Sequence, residues 1–135
     1  MPPCFDHEKL DAYQRSLQFI AWSTDILERV PAKLAAHGQL DRASTLISSN
    51  IAEGNGRSTP AGRCRFFERA RGPALECAAA LDVLVAKKVL SAADIEPGKS
   101  QLLEIVSLLV TLITANSEGG STEGEVSRQV GAGRD

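Results

Sequence analysis

Residues 40–60 read Leu40-Asp41-Arg42-Ala43-Ser44-Thr45-Leu46-Ile47-Ser48-Ser49-Asn50-Ile51-Ala52-Glu53-Gly54-Asn55-Gly56-Arg57-Ser58-Thr59-Pro60, and hold a helix, a loop and a second helix start. Leu40, Ala43, Ile47, Asn50 and Ile51 share one face of a 3.6-residue repeat, so the spacing predicts a helix from about Leu40 to Ala52. Glu53-Gly54 predicts its end, with the glycine taking the left-handed conformation of a helix stop. Ser58 or Thr59 followed by Pro60 is a start signal. A hydroxyl accepts from the free amides of the first turn, and proline lacks the N–H that would have no partner there.

Working outward, the same logic predicts three more boundaries. A first helix is capped by Asp6 and stops by Val30, because Pro31 disfavours helical geometry in the residue before it. Leu10, Tyr13, Leu17, Ile20 and Leu27 form its apolar stripe, widened by Phe19, Trp22, Ile26 and Val30. The helix begun at Pro60 continues to about Leu90, with a kink expected near Arg69–Pro73 because Pro73 cannot donate to the carbonyl four residues back. A last helix opens after Ser91, which has Asp94 at capping-box spacing; Pro97-Gly98 predicts an irregular first turn. No alternating β pattern and no internal repeat is present. Four amphipathic helices with short connections predict an all-α, antiparallel up-down-up-down four-helix bundle over residues 6–116.

The last helix is more apolar than a bundle requires. Between Gln101 and Ala115 only Glu104, Ser107, Thr111 and Thr114 form a polar stripe, whereas a surface helix needs only about 100° of apolar arc. Subunit contacts are therefore expected on this helix, and with them a homo-oligomer. The alanines at 74, 78, 79, 80 and 86 allow close helix approach.

Composition bounds the rest. The chain has 135 residues, 43% apolar and 24% charged, which fits one globular domain; aromatics are only 4%, so the core is aliphatic. Lys and Arg total 15 against 17 for Asp and Glu, a net charge of -2. Residues 117–135 hold five of the 11 glycines and read as a disordered Gly/Ser/Glu-rich tail. Two of the 15 basic residues and four of the 17 acidic ones lie there, so the body is neutral. Cys4, Cys64 and Cys77 show no paired spacing, and His7 and His37 stand apart, so neither a disulfide framework, a metal nor any other cofactor is expected. The N-terminus lacks signal-peptide character, and the longest apolar run, Leu102–Ala115, is shorter than the ~20 residues of a bilayer span. A cytoplasmic protein without a membrane partner is expected.

Two polar features stand out. Asn50 and Glu53 share a face of the second helix, and Arg71 and Glu76 are the partners expected on the facing helix, forming a structural polar network. The amides of Gly54-Asn55-Gly56 suggest an anion nest, but the loop follows no strand and lacks the lysine of a phosphate loop. The second feature is charge. Arg57, Arg63, Arg65, Arg69 and Arg71 face only Glu68 within fifteen residues, a local +4. Phosphates of a nucleic acid would relieve that repulsion and release counterions; carboxylates on a neighbouring helix would do so equally. No catalytic residues emerge. Glu53 and Glu76 lack the inward histidines of a di-iron bundle, so no enzyme is expected.

The run from Arg42 to Arg57 resembles the hallmark of the bacterial four-helix-bundle proteins encoded by intervening sequences of 23S ribosomal RNA genes. Phe67-Glu68-Arg69-Ala70-Arg71-Gly72-Pro73-Ala74-Leu75-Glu76 resembles the third helix of the same family, and Tyr13-Gln14 fits its first. The resemblance covers roughly residues 6–115; Pro73 stands where the family usually has serine. Related proteins are the accessory variability determinants of diversity-generating retroelements, which are homopentamers that bind nucleic acid and associate with a reverse transcriptase. The resemblance thus implies a homo-oligomer, a pentamer by that relationship, and points to RNA or DNA and to a reverse transcriptase or other protein as partners. Those relatives are strongly basic, whereas this body is neutral.

Two functions follow. One is a non-enzymatic accessory factor that binds RNA or DNA through Arg57, Arg63, Arg65 and Arg69 near the loop between the second and third helices. The other is an oligomeric scaffold for a protein partner, such as a reverse transcriptase, that touches no nucleic acid.

Overall fold

The computed structural model describes the backbone of residues 4–122 and side chains to residue 117. A 3-10 turn, η1 (Asp6–Lys9), precedes α1 (Asp11–Leu27), α2 (Ala35–Asn55), α3 (Pro60–Ala86) and α4 (Ala92–Thr122). Each helix packs on its sequence neighbours, and α1 closes the ring against α4. This is the antiparallel four-helix bundle. The α2–α3 seam is its most extensive contact. The tail expected from residue 117 falls outside the described residues beyond Thr122, and α4 carries the described chain up to that point.

Local chemistry explains most boundaries. Thr59 caps α3, its hydroxyl oxygen accepting from the Gly62 amide at 3.0 Å, with Pro60 in the first helical position. Ser91 and Asp94 form the expected capping box: the Asp94 amide donates to Ser91 Oγ at 3.1 Å, and the Ser91 amide donates to Asp94 Oδ2 at 2.8 Å. Those hydrogen bonds, and the Arg29 guanidinium 3.1 Å away, hold the Asp94 carboxyl below its ordinary 3.8.

Four expectations are corrected. Asp6 does not cap a long first helix. The 3-10 turn ends at Leu10, whose extended backbone (ψ 131°) separates it from α1. α1 stops at Leu27, and 3-10-type bonds from Arg29 to Ile26 and from Val30 to Leu27 carry the chain to Pro31. α2 begins at Ala35 and ends at Asn55, longer at both ends than predicted, and no glycine among the described residues has positive φ. α4 is helical from Ala92 through Pro97-Gly98, without the expected irregular first turn, and α3 is one helix through Pro73.

The core lies where the four inner faces meet, with Phe19, Leu40, Ile47, Ile51, Phe67, Leu81, Leu84, Ile105 and Leu109 fully enclosed. Burying each such side chain contributes about 1.5–3 kcal/mol. On α1 the inner stripe is Ala12, Ser16, Phe19, Ser23 and Ile26, rotated from the predicted one, and Leu17 lies outside. Two serines disguise that stripe. Ser16 and Ser23 donate to the carbonyls of Tyr13 and Ile20, as Ser44 and Ser48 of α2 donate to those of Asp41 and Thr45. Each buried hydroxyl is satisfied within its own helix, so its burial costs little.

α4 is, over Ala92–Ser117, long and apolar enough by length and composition to cross a bilayer. Core helices pass the same test. Ile95, Leu102, Ile105 and Leu109 are buried against the bundle, Glu104 pairs with Arg15 of α1, and Lys99 pairs with Asp82 of α3. Its outer side keeps the expected surplus: Leu103 is 73% and Val110 41% exposed.

The α3–α4 turn has a complete Schellman closure. Val89 donates to Leu84 and Lys88 to Val85, while Lys88 itself sits at φ 62°, the one non-glycine with positive φ among the described residues. A β-carbon at that conformation costs about 1 kcal/mol. Lys88→Gly should therefore raise stability by up to about 1 kcal/mol and increase the melting temperature by several degrees, measured by calorimetry.

Candidate nucleic-acid interface

The basic cluster sits where α2 hands over to α3, and its geometry starts with Gly54. This residue is helical and buried. A β-carbon there would lie 2.7 Å from Phe67 Cε1 and 3.2 Å from Phe66 Cβ. Gly54 is thus a contact glycine: it lets α3 approach until Phe67 enters the core and Phe66 rests at the rim. The loop itself is closed by backbone bonds. The Gly56 amide donates to the Ala52 and Glu53 carbonyls, and the Arg57 amide to Gly54, so these two amides are spent on the helix end and form no anion nest. Asn55 Nδ2 donates to Asp6 Oδ2 at 2.9 Å, tying η1 to this end of the bundle. That bond, assisted by Lys9, Arg63 and His7 against a weaker burial effect, holds the Asp6 carboxyl below its ordinary value.

Around Phe66 the arginines converge. The guanidinium carbons of Arg57, Arg69 and Arg65 lie over its ring, at 4.4, 4.8 and 5.5 Å from the centroid. Such contacts stabilise by about 0.5–1 kcal/mol each when exposed. Arg57 also pairs with Glu53 at 2.8 Å, and Arg63 Nη1 donates to the Arg57 carbonyl at 3.0 Å. Arg71 pairs with Glu68 at 3.1 Å. Among the described residues, Arg63, Arg65 and Arg69 have no carboxylate within 4.0 Å. Among the described residues, Arg57 and Arg71 are each paired with a carboxylate, Arg63 acts on Asp6 only at longer range, and Arg65 and Arg69 have no carboxylate partner.

The structural polar network expected from Asn50, Glu53, Arg71 and Glu76 does not assemble. Asn50 Nδ2 donates to the Leu46 carbonyl of its own helix, Glu53 turns to Arg57, Arg71 turns to Glu68, and Glu76 reaches Arg42 at 3.6 Å. All four lie at or near the surface, where water satisfies them and no shared network is required. Among the described residues the Arg42–Glu76 ion pair joins α2 to α3, and an exposed pair of that length contributes ~0–1 kcal/mol. Sequence reasoning also missed Phe66. Its signal was an aromatic with arginines one residue before and three after, within the charge cluster.

Reactive chemistry is sparse. Cys77 is fully enclosed, and burial, with Glu76 adding to it, pushes its thiol up to about 12, so it stays protonated and a poor nucleophile. Cys64 Sγ lies 3.4 Å from the Ile113 carbonyl. Among the described residues no three His, Cys, Asp or Glu side chains are grouped to hold a metal.

The model of the 23S rRNA-intervening sequence protein family matches residues 8–111, covering α1 to α3, most of α4 and the whole basic cluster. The chain belongs to that family. Among solved structures, a protein of unknown function from the S23 ribosomal protein family of Bacteroides thetaiotaomicron matches with a TM-score of 0.70 and 21% identity, over 76% of this chain and 97% of that one. At that identity the likeness concerns the fold. No curated protein matches the chain.

Within this family member, the α2–α3 contact carries both core and surface. Gly54→Ala should force its methyl into Phe67 and cost about 1–3 kcal/mol, lowering the urea midpoint without changing the slope of the transition.

Proposed function

We propose that this protein is a non-catalytic, homo-oligomeric accessory factor that binds RNA or DNA through Arg57, Arg63, Arg65 and Arg69. The observation that carries this reading is the group of three arginines, Arg63, Arg65 and Arg69, that have no carboxylate within 4.0 Å among the described residues and are gathered with Arg57 at one end of the bundle. Like charges held together on a folded surface cost free energy until an anion joins them, and phosphates meet that need while releasing counterions from the nucleic acid. Overall neutrality is no obstacle, since four of the 17 acidic residues lie in the tail and, among the described residues, no carboxylate comes within 4.0 Å of Arg63, Arg65 or Arg69. Membership of a family encoded within ribosomal RNA genes is consistent with an RNA partner, and a cytoplasmic location goes with it. No catalytic role is assigned: Glu53 is tied to Arg57 of the α2–α3 loop and Glu76 to Arg42 of α2.

The oligomer is argued from apolar surface. Leu103 (73% exposed) and Val110 (41%) stand seven residues apart on one face of α4, and Leu75 (56%) lies on neighbouring α3. A second copy covering these side chains would bury apolar area at about 25 cal/mol per Å². A pentamer is the form suggested by the likeness to the retroelement accessory proteins. The same face would serve a protein partner such as a reverse transcriptase, which is the second reading.

Two measurements test the proposal. Filter binding against structured RNA and duplex DNA should show affinity that falls steeply between about 50 and 200 mM salt. The triple variant Arg63→Gln, Arg65→Gln, Arg69→Gln should weaken it by at least tenfold and flatten the salt slope by about one unit per lost phosphate contact. Absent or salt-insensitive binding overturns the reading, and a stoichiometric protein partner that survives nuclease and high salt would establish the second one. In light scattering, the protein should exceed the monomer mass at micromolar concentration, and Leu103→Asp should dissociate it while the fold persists. A monomeric parent protein would remove the oligomer.

A further inference from the structure

The rim aromatic at the centre of the basic cluster has a role of its own. A ring has two faces, so three guanidiniums lying over Phe66 oblige at least two to share one. From their distances to a common centroid, no two are further apart than about 10 Å, the screening length at 0.1 M ionic strength. Their mutual repulsion is therefore felt. The three are not equivalent. Arg57 is anchored by Glu53 at 2.8 Å and by its place in the loop, whereas Arg65 and Arg69 have no carboxylate partner among the described residues and are held only by the ring. Exposed cation–π contacts are weak, and a phosphate oxygen is a stronger partner for a guanidinium.

We infer that Phe66 is a stacking platform for an unpaired base, uncovered when Arg65 and Arg69 leave its ring for the flanking phosphates. This rests on the nucleic-acid reading above and specifies its substrate as an unpaired segment, a single strand or a loop. Bases in a duplex stack on one another and offer no free face, while an unpaired base stacks on an aromatic ring or on a guanidinium plane. Phe66 is suited to the task because it is half-buried: the Gly54 contact fixes its root, so its outer part is rigid before the base arrives. Arg57, staying with Glu53, keeps one cation beside the stack, and Arg63, bonded to the Arg57 carbonyl, stiffens the loop. The site thus combines a preformed aromatic with two mobile cations.

The full chain should be titrated with a fluorescent single-stranded RNA, the same sequence as single-stranded DNA, and the fully paired RNA duplex, at one salt concentration. Single strands should bind at least tenfold more tightly than the duplex, the scale of one stacked base. Phe66→Leu should bring that ratio towards one, and Phe66→Tyr should restore it, which a merely structural role for the ring would not produce. Thermal melting verifies that each variant is folded. Independently of any variant, 2-aminopurine placed in the single strand should be quenched on binding to the parent protein. Salt-dependent binding with equal affinity for single strand and duplex, or without quenching, overturns this inference and leaves the proposed function standing. Binding to none of the three nucleic acids overturns both. A difference between the RNA and DNA arms identifies which single strand the site takes.

Discussion

Everything at the basic end of this protein depends on one close approach, that of α3 onto Gly54 of α2. With only a hydrogen in place of a side chain, the two helices come near enough for Phe67 to be fully enclosed and Phe66 to be pinned beside it. A helix presents consecutive residues about 100° apart. Phe67 turned inward therefore leaves Phe66 at the edge of the seam, and the residues around it, Arg65 and Arg69, are brought to its ring. The core contact and the basic surface are two sides of one geometric constraint. A second glycine has the same role across the bundle: a β-carbon at Gly98 would lie 2.2 Å from the Trp22 ring, so α4 meets α1 by the same device.

The interior is economical in a different way. Aromatics are few, and beside the core leucines and isoleucines the helices meet through alanines and through serines whose hydroxyls return to their own backbone. Small residues on facing helices permit short interaxial distances, which suits a bundle held by many modest contacts. Ion pairs at the seams are exposed and individually weak. Their placement matters more for register than for stability, because each links a different pair of helices: Arg15–Glu104 joins α1 to α4, Arg42–Glu76 joins α2 to α3, and Lys99–Asp82 joins α3 to α4.

The fold was legible to a large degree. Thr59-Pro60 and Ser91 with Asp94 marked helix starts that the structure keeps, because a cap is chemistry between residues two or three apart. The α2 face of Leu40, Ala43, Ile47 and Ile51 was equally plain. The α1 stripe was misplaced by about one residue, since Ser16 and Ser23 look polar until a helix carbonyl satisfies them. The site was legible in part. The arginines were visible as a run of like charge, but their partition into paired and unpaired members was not. Nor was the dispersal of Asn50, Glu53, Arg71 and Glu76, whose partners depend on how two helices are turned.

By itself, the sequence determined the number of helices, the starts of α3 and α4, the apolar excess of α4 and the local positive charge. These follow from periodicity, capping and composition, which act within a few residues. Only the tertiary structure decided what the glycines are for. Local rules assign Gly54 a left-handed stop, yet it is helical and is required for space, while the left-handed position falls on Lys88. Backbone preference is a property of one residue; room for a neighbour is a property of two helices. The same distinction applies to Phe66. Arg65 and Arg69 reach its ring by spacing along α3 itself, whereas Arg57 reaches it only because α2 and α3 meet at a fixed distance and rotation.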